Sequence, residues 1–156
     1  MRARGFTLVE LLVTVAIVGV LATMLLPLTE VAARRAKEQD LRAALREIRA
    51  GIDAYKRAYD DGRITRVVGQ SGYPPSLEVL VEGVVDARSP RRERIYFLRR
   101  LPADPLARDA SAAPASTWGL RSYDSPADDP RPGRDVFDVY SRAPGTGLDG
   151  RPYGQW

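Results

Sequence analysis

Few side chains in this sequence are equipped for chemistry. Histidine and cysteine are both absent. That removes the usual general base of a Ser-His-Asp arrangement, cysteine nucleophiles, disulfide scaffolds and zinc-finger ligand sets. Carboxylates, Tyr, Lys and Ser remain. Asp60-Asp61 and Asp128-Asp129 are adjacent acidic pairs, which more often cap helices or solvate turns than share a catalytic proton. Gly145-Thr146-Gly147 is too short and too poorly placed for a phosphate-binding loop. Asp149 is the single acid of residues 141–156 and lies among glycines. Glu10 is the unusual one: it is the only charge in the run FTLVELLVTVAIVGVLATMLLPL, residues 6–28. A carboxylate well inside a bilayer costs about 2.5–3.5 kcal/mol on insertion scales and is seldom kept without a partner. The bland alternative places Glu10 near the interface, hydrated, close to the residues that precede the run.

The elements around Glu10 set its environment. Residues 1–5, MRARG, form a short leader with Arg2 and Arg4 and no acid. Residues 6–28, as a helix rising about 1.5 Å per residue, are long enough for a hydrocarbon core of about 30 Å. The positive-inside rule keeps Arg2 and Arg4 cytoplasmic and puts the rest of the chain across the membrane. An ordinary secretory signal needs a small-residue cleavage site after its apolar run, and LATMLLPLTEVAA offers a poor one. A plain anchor accounts for the length but not for Glu10.

Gly5-Phe6-Thr7-Leu8-Val9-Glu10, behind a basic leader and ahead of an apolar helix, closely resembles the processing motif of the type IV pilin-like superfamily. The resemblance implies cleavage by a prepilin peptidase between Gly5 and Phe6, on the cytoplasmic side, and N-methylation of Phe6. Glycine at the cut suits close approach of a protease to the backbone. The resemblance also implies a role for Glu10, as the assembly charge that pairs with the free Phe6 amine of a neighbouring subunit. A buried carboxylate and a buried ammonium compensate each other, while either alone is costly. The apolar helix is retained in the mature protein.

Beyond the apolar run, Pro27 removes one helical hydrogen bond and is expected to bend or interrupt the helix, with Gly19 a second weak point. Residues 29–60 then turn amphipathic: Leu41, Leu45, Ile48, Ile52, Tyr55 and Tyr59 form one apolar stripe at helical spacing. Glu30/Arg34, Glu38/Arg42 and Asp53/Arg57 are acid-before-base pairs four apart, each worth about 0.2–0.5 kcal/mol. The stripe is expected to pack on the chain's own head, residues 61–156. There a short helix is expected over 75–81, a solvated charged loop over 86–94, an extended path through Pro102 and Pro105, and a flexible Ala/Ser-rich insertion over 107–116. Residues 118–123 and 135–141 read as strands, with Phe137 and Val139 on one face and Val136 and Tyr140 on the other. The last residues, RPYGQW, are expected to form an edge strand that lets Trp156 cover the sheet.

The order of these features resembles the pseudopilin branch of type II secretion, in particular its major subunits. The fold class expected is α+β and pilin-like: a long N-terminal helix, transmembrane in its first half and amphipathic in its second, on a small antiparallel sheet. The implied role is a structural subunit, not an enzyme. It would be held single-pass in the inner membrane with its head in the periplasm, and drawn into a helical homo-oligomeric filament that pushes folded proteins across the outer membrane. The implied partners are the prepilin peptidase, an inner-membrane assembly platform, minor pseudopilins and membrane lipid. A type IV pilus subunit is the neighbouring alternative, and a membrane-anchored periplasmic enzyme the remote one. The net charge of +4, from 24 basic and 20 acidic residues of alternating sign, does not indicate nucleic acid. No cofactor is called for by the residues themselves. The resemblance implies calcium in the loop after the DVYS strand, for which Asp149 is the first candidate ligand. Calcium takes about six to eight oxygens, and the more distant Asp124, Asp128, Asp129, Asp135 and Asp138 contribute only if the loops fold together. The glycine-rich loop reads more readily as a tight structural turn.

Overall fold

The computed structural model describes residues 7–109 and 111–156, with the backbone alone at 23–28. The chain divides into two compact units, Met1–Lys37 and Glu38–Trp156. Helix α1, Leu8–Asp60, belongs to both.

In the first unit, α1 is not interrupted at Gly19 or Pro27. A proline within a helix costs one hydrogen bond, and the helical backbone on either side carries the run through it. The apolar side chains of this part are exposed at successive positions: Leu8, Val9, Leu11, Leu12 and Val13, then Val15, Ile17, Val18, Val20 and Leu21. A helix that is apolar all round has no water-facing side and needs lipid or other protein as cover. Among the described residues no helix is long and apolar enough to cross a membrane. The expected span, 6–28, includes Phe6 and the side chains of 23–28, which lie outside those described.

In the second unit the expected stripe is the core. Leu41, Leu45, Ile48, Ile52 and Tyr55 are buried, joined by Ala44 and Ala58. Tyr59 is half-buried against them. Gly51 lets the head come close, since a Cβ there would stand 3.0 Å from the Leu98 side chain. The helix ends in a Schellman arrangement: Gly62 (φ +70) donates to Tyr59 O at 2.9 Å, and Arg63 N–H to Ala58 O at 2.9 Å. Positive φ at the position after a helix is what glycine supplies without strain.

The head is built from short elements. Helix α2 is Glu78–Glu82, starting later than the sequence suggests and lacking a side-chain cap. Its Leu80 carbonyl accepts the N–H groups of Phe97 and Leu98, at 3.0 and 2.9 Å. Strands β1 (Val84–Val85) and β2 (Arg94–Ile95) pair antiparallel, Val84 opposite Ile95, so the charged stretch expected to be a loop, 86–94, is the connection of a hairpin up to residue 93 and gives Arg94 to β2. Helix α3, Pro114–Thr117, occupies part of the stretch expected to be flexible. It leads into β3 (Trp118–Arg121), which pairs antiparallel with β4 (Asp138–Ser141) in the register Trp118↔Ser141 to Arg121↔Asp138. The antiparallel sheet is thus two separate two-stranded ribbons.

Two details of the expected strands differ. Val136 and Val139 are both buried, although strict alternation puts them on opposite faces. β4 begins only at Asp138, and Val136 instead donates its N–H to Pro74 O at 2.8 Å, so the pleat does not reach it. The terminal segment is a 3₁₀ turn, Tyr153–Gln155, rather than an edge strand. Pro152 offers no N–H to a ladder, and only a single bridge, Thr146 to Pro152, is made before the chain turns. Trp156 still ends up 9% exposed, its ring 5.1 Å from that of Tyr153.

Candidate functional site

The two ends of the chain carry the residues singled out from the sequence. Gly5 and Phe6 lie outside the described residues. Glu10 sits in the first turn of α1, exposed. The Glu10 N–H donates to Thr7 Oγ1 at 3.2 Å, and the Thr7 N–H donates to Glu10 Oε2 at 3.4 Å. This reciprocal pair is a capping box: two backbone donors that have no partner within the helix are satisfied by side chains, and the negative charge lies where the helix dipole favours it. The Thr7-x-x-Glu10 spacing is the sequence signature of that box and could have been read directly. Thr14 Oγ1 adds hydrogen bonds to the carbonyls of Glu10 and Leu11, each 2.9 Å, tying the next turn to the first.

The C-terminal loop 145–153 is placed against α1 by Glu38 and Arg42, which the sequence offers only as an acid-before-base pair four apart. Glu38 is 4% exposed. Its Oε1 accepts the Leu148 N–H at 2.9 Å and the Tyr153 hydroxyl at 3.0 Å. Arg42, one turn further along α1, donates to Asp149 Oδ2 at 3.2 Å, and its guanidinium lies 4.2 Å from the centre of the Trp156 ring. Another two turns on, Arg49 holds Asp138 Oδ1 at 2.7 Å, Val139 O at 3.1 Å and Trp156 O at 2.7 Å. The signal for these roles was the position of Glu38, Arg42 and Arg49 beside the apolar stripe, where long side chains reach over whatever the stripe buries.

Asp149 is fully engaged. Oδ1 accepts the Arg151 N–H at 3.1 Å, and Oδ2 receives Arg151 Nε at 3.2 Å as well as Arg42. The Arg151 N–H, with the two guanidinium groups adding to it, holds this carboxyl below the usual carboxylate range. Four of the five upstream acids have other partners. Asp124 pairs with Arg134 at 3.3 Å, and Asp129 with Arg131. Asp138 faces both Arg49 and Arg121. Asp135 accepts hydrogen bonds from the Ser71 hydroxyl, from Ser122 Oγ at 2.8 Å and from the Tyr123 N–H at 2.8 Å. Among the described residues no group of three or more acids stands together so as to hold a metal ion. Asp104, buried, accepts Ser141 Oγ at 2.5 Å and the Leu106 N–H at 2.8 Å, fastening the Pro102–Pro105 stretch to β4. These carboxylates act as staples for a head with little regular structure, because buried backbone donors in loops need acceptors.

The chain is similar to known proteins at its N-terminus and along most of its length. Residues 1–26 match the family described as prokaryotic N-terminal methylation motif. The type II secretion system core protein G of Klebsiella pneumoniae is 32% identical over 113 residues, covering 69% of this chain and 72% of that protein. The protein of the same name in Klebsiella michiganensis is 27% identical over 136 residues, 85% of this chain and 88% of its own. That of Pseudomonas aeruginosa is 28% identical over 155 residues, 96% of this chain and 87% of its own. No solved structure matches the chain. With an apolar, capped N-terminal helix at one end and an α+β head folded on its amphipathic continuation, the chain belongs to the family of type II secretion system core proteins G.

Proposed function

We propose that the protein is a structural subunit of a type II secretion pseudopilus, a filament that assembles from the inner membrane and helps push folded proteins across the outer membrane. The observation that carries this is the joining of the N-terminal methylation motif to relatives that match through most of the head. The role is mechanical rather than enzymatic. Residues 1–5 are a leader removed by the prepilin peptidase between Gly5 and Phe6, and Phe6 becomes the N-methylated terminus. Residues 6–28 hold the subunit single-pass in the inner membrane and then form the filament core, 29–60 are the helix of the head, and 61–156 complete the head in the periplasm. The exposed apolar side chains from Leu8 to Leu21 support this, since lipid covers them before assembly and neighbouring helices cover them afterwards.

Glu10 is the assembly charge. In the single chain its carboxylate accepts the Thr7 N–H; in the filament it would take the Phe6 amine of a neighbouring subunit. Exchange of a weak hydrogen bond for an ion pair away from water favours association and sets axial register. Further partners are the assembly platform and the minor pseudopilins.

Two measurements test the reading. Protein extracted from the membrane is expected to begin at Phe6 and to carry one additional methyl group; a chain beginning at Met1 overturns it. A clean deletion is expected to trap folded, normally secreted enzymes in the periplasm. Intact secretion with lost surface pili would assign the subunit to a type IV pilus instead, and activity that survives removal of the helix would assign it to an anchored enzyme.

A further inference from the structure

The resemblance implies calcium in the loop after β4, yet the residues there do not fit that ion. The loop's one acid, Asp149, has both oxygens occupied, and two guanidinium groups stand 3.2 Å from one of them. A divalent cation brought to this carboxylate would meet two fixed positive charges at close range, and Coulomb repulsion between such charges is strong wherever water is partly excluded. It would also have to collect its remaining oxygens from elsewhere. Glu38, which faces the same loop from α1, already accepts the Leu148 N–H and the Tyr153 hydroxyl.

We propose that this chain closes its C-terminal loop with its own side chains in place of a divalent cation: Arg42 and Arg151 supply the positive charge to Asp149, and Glu38 supplies the acceptor for Leu148 and Tyr153. Each function of a loop-binding cation has a counterpart. The guanidinium of Arg42 bridges α1 to the loop, as a shared ion would. Its face lies over the Trp156 ring, a cation–π contact that also fixes the terminal aromatic. Within the loop, Gly147 N–H donates to Arg151 O at 2.8 Å and Gly150 N–H to Gly147 O at 3.0 Å, so the backbone turn is closed by hydrogen bonds of its own. Gly147 has no space for a side chain, because a Cβ would stand 2.2 Å from the Trp156 ring and 2.8 Å from Asp149 Oδ1. The loop is packed at this point with protein atoms. The choice of ion rests on the family reading; the geometry of the closure does not.

The test is thermal unfolding of the full chain in detergent micelles, followed by tryptophan fluorescence, in saturating calcium and in excess chelator. The melting temperature is expected to be the same in both. A resident calcium site filled to saturation would instead raise it by more than about 5 °C, which overturns the proposal. The double variant Arg42→Gln/Arg151→Gln is expected to melt several degrees lower in both media, while Arg91→Gln/Arg92→Gln, in the exposed hairpin loop, leaves the melting temperature unchanged. Equal melting of the first double variant and the parent also overturns the proposal. Unfolding temperature does not depend on secretion, so this inference and the proposed function fail separately.

Discussion

Tyr153 donates its hydroxyl hydrogen to Glu38 across 115 positions of sequence, at 3.0 Å and with both residues nearly covered from solvent. The same carboxylate oxygen takes the Leu148 N–H, so one acid on α1 fixes both sides of the terminal loop. A hydrogen bond to a charged group contributes about 1.5–3 kcal/mol, and an acid left buried with fewer donors is costly. Tyr153→Phe, which keeps the ring beside Trp156, is therefore expected to destabilise the protein by about 1–3 kcal/mol. Chemical denaturation in detergent is the check, and an unchanged midpoint would remove Glu38 from its anchoring role.

Gly147 is expected to tolerate no side chain. The atoms that a Cβ would meet belong to the rigid Trp156 indole and to Asp149, so relief requires the ring to move out of its seat. Overpacking of this kind costs about 1–3 kcal/mol. Gly147→Ala is expected to lower stability and increase the exposure of Trp156, seen as a red shift of its fluorescence. Gly150→Ala, with open space but positive φ, is expected to retain the native fluorescence and lose stability through the backbone alone.

Acid unfolding is expected to report the carboxylate staples. Burial pushes the Asp135 carboxyl up, but hydrogen bonds from Ser71, Tyr123 N–H and Ser122 outweigh it and hold the group below its ordinary value. Asp86 is held low by Arg63, helped by the Arg88 N–H. A carboxyl with a lowered value in the fold contributes stability that is fully present above its ordinary value of 3.8. That stability disappears as pH falls through the lowered value. The parent is expected to lose stability below the ordinary carboxylate range. Asp135→Asn is expected to be weaker at neutral pH and to show a smaller loss on acidification. Parallel pH profiles for the two proteins would contradict the assignment.

Glu10 and Thr7 separate capping from assembly. Glu10→Ala is expected to be cleaved normally and to assemble poorly, since the charge acts after processing. Thr7→Ala removes the Oγ1 that caps Glu10 N–H, a loss worth about 0.5–2 kcal/mol of local helix stability. Amide exchange in the first turn of α1 should speed up in that variant. Normal filaments from Glu10→Ala would dispose of the charge-pair argument, whatever the exchange data show.

Local pattern accounts for what was legible. The stripe from Leu41 to Tyr55 was readable because helix periodicity depends on neighbours three and four residues apart, and each of those positions is buried as the spacing requires. The pairing of 118–121 with 138–141 was readable for a similar reason, as both segments alternate. The capping box was equally local and was missed only because Glu10 was read for its charge and not for its distance from Thr7.

Tertiary contact decided the rest. Nothing near Val136 says that it is buried together with Val139; a hydrogen bond to Pro74 puts it there. Glu38, Arg42 and Arg49 stand beside the apolar stripe, but nothing near them names their partners, which lie 89 to 115 positions away. By itself the sequence determined the apolar helix with its lone carboxylate, the amphipathic spine and the match of its N-terminus to a methylation motif, since each follows from residue type and short spacing. Only the tertiary structure decided that Arg42 reaches Asp149 and that Trp156 is seated by a 3₁₀ turn rather than a strand. Those outcomes depend on which distant groups the folded core brings within hydrogen-bonding range, and short-range pattern carries no record of that.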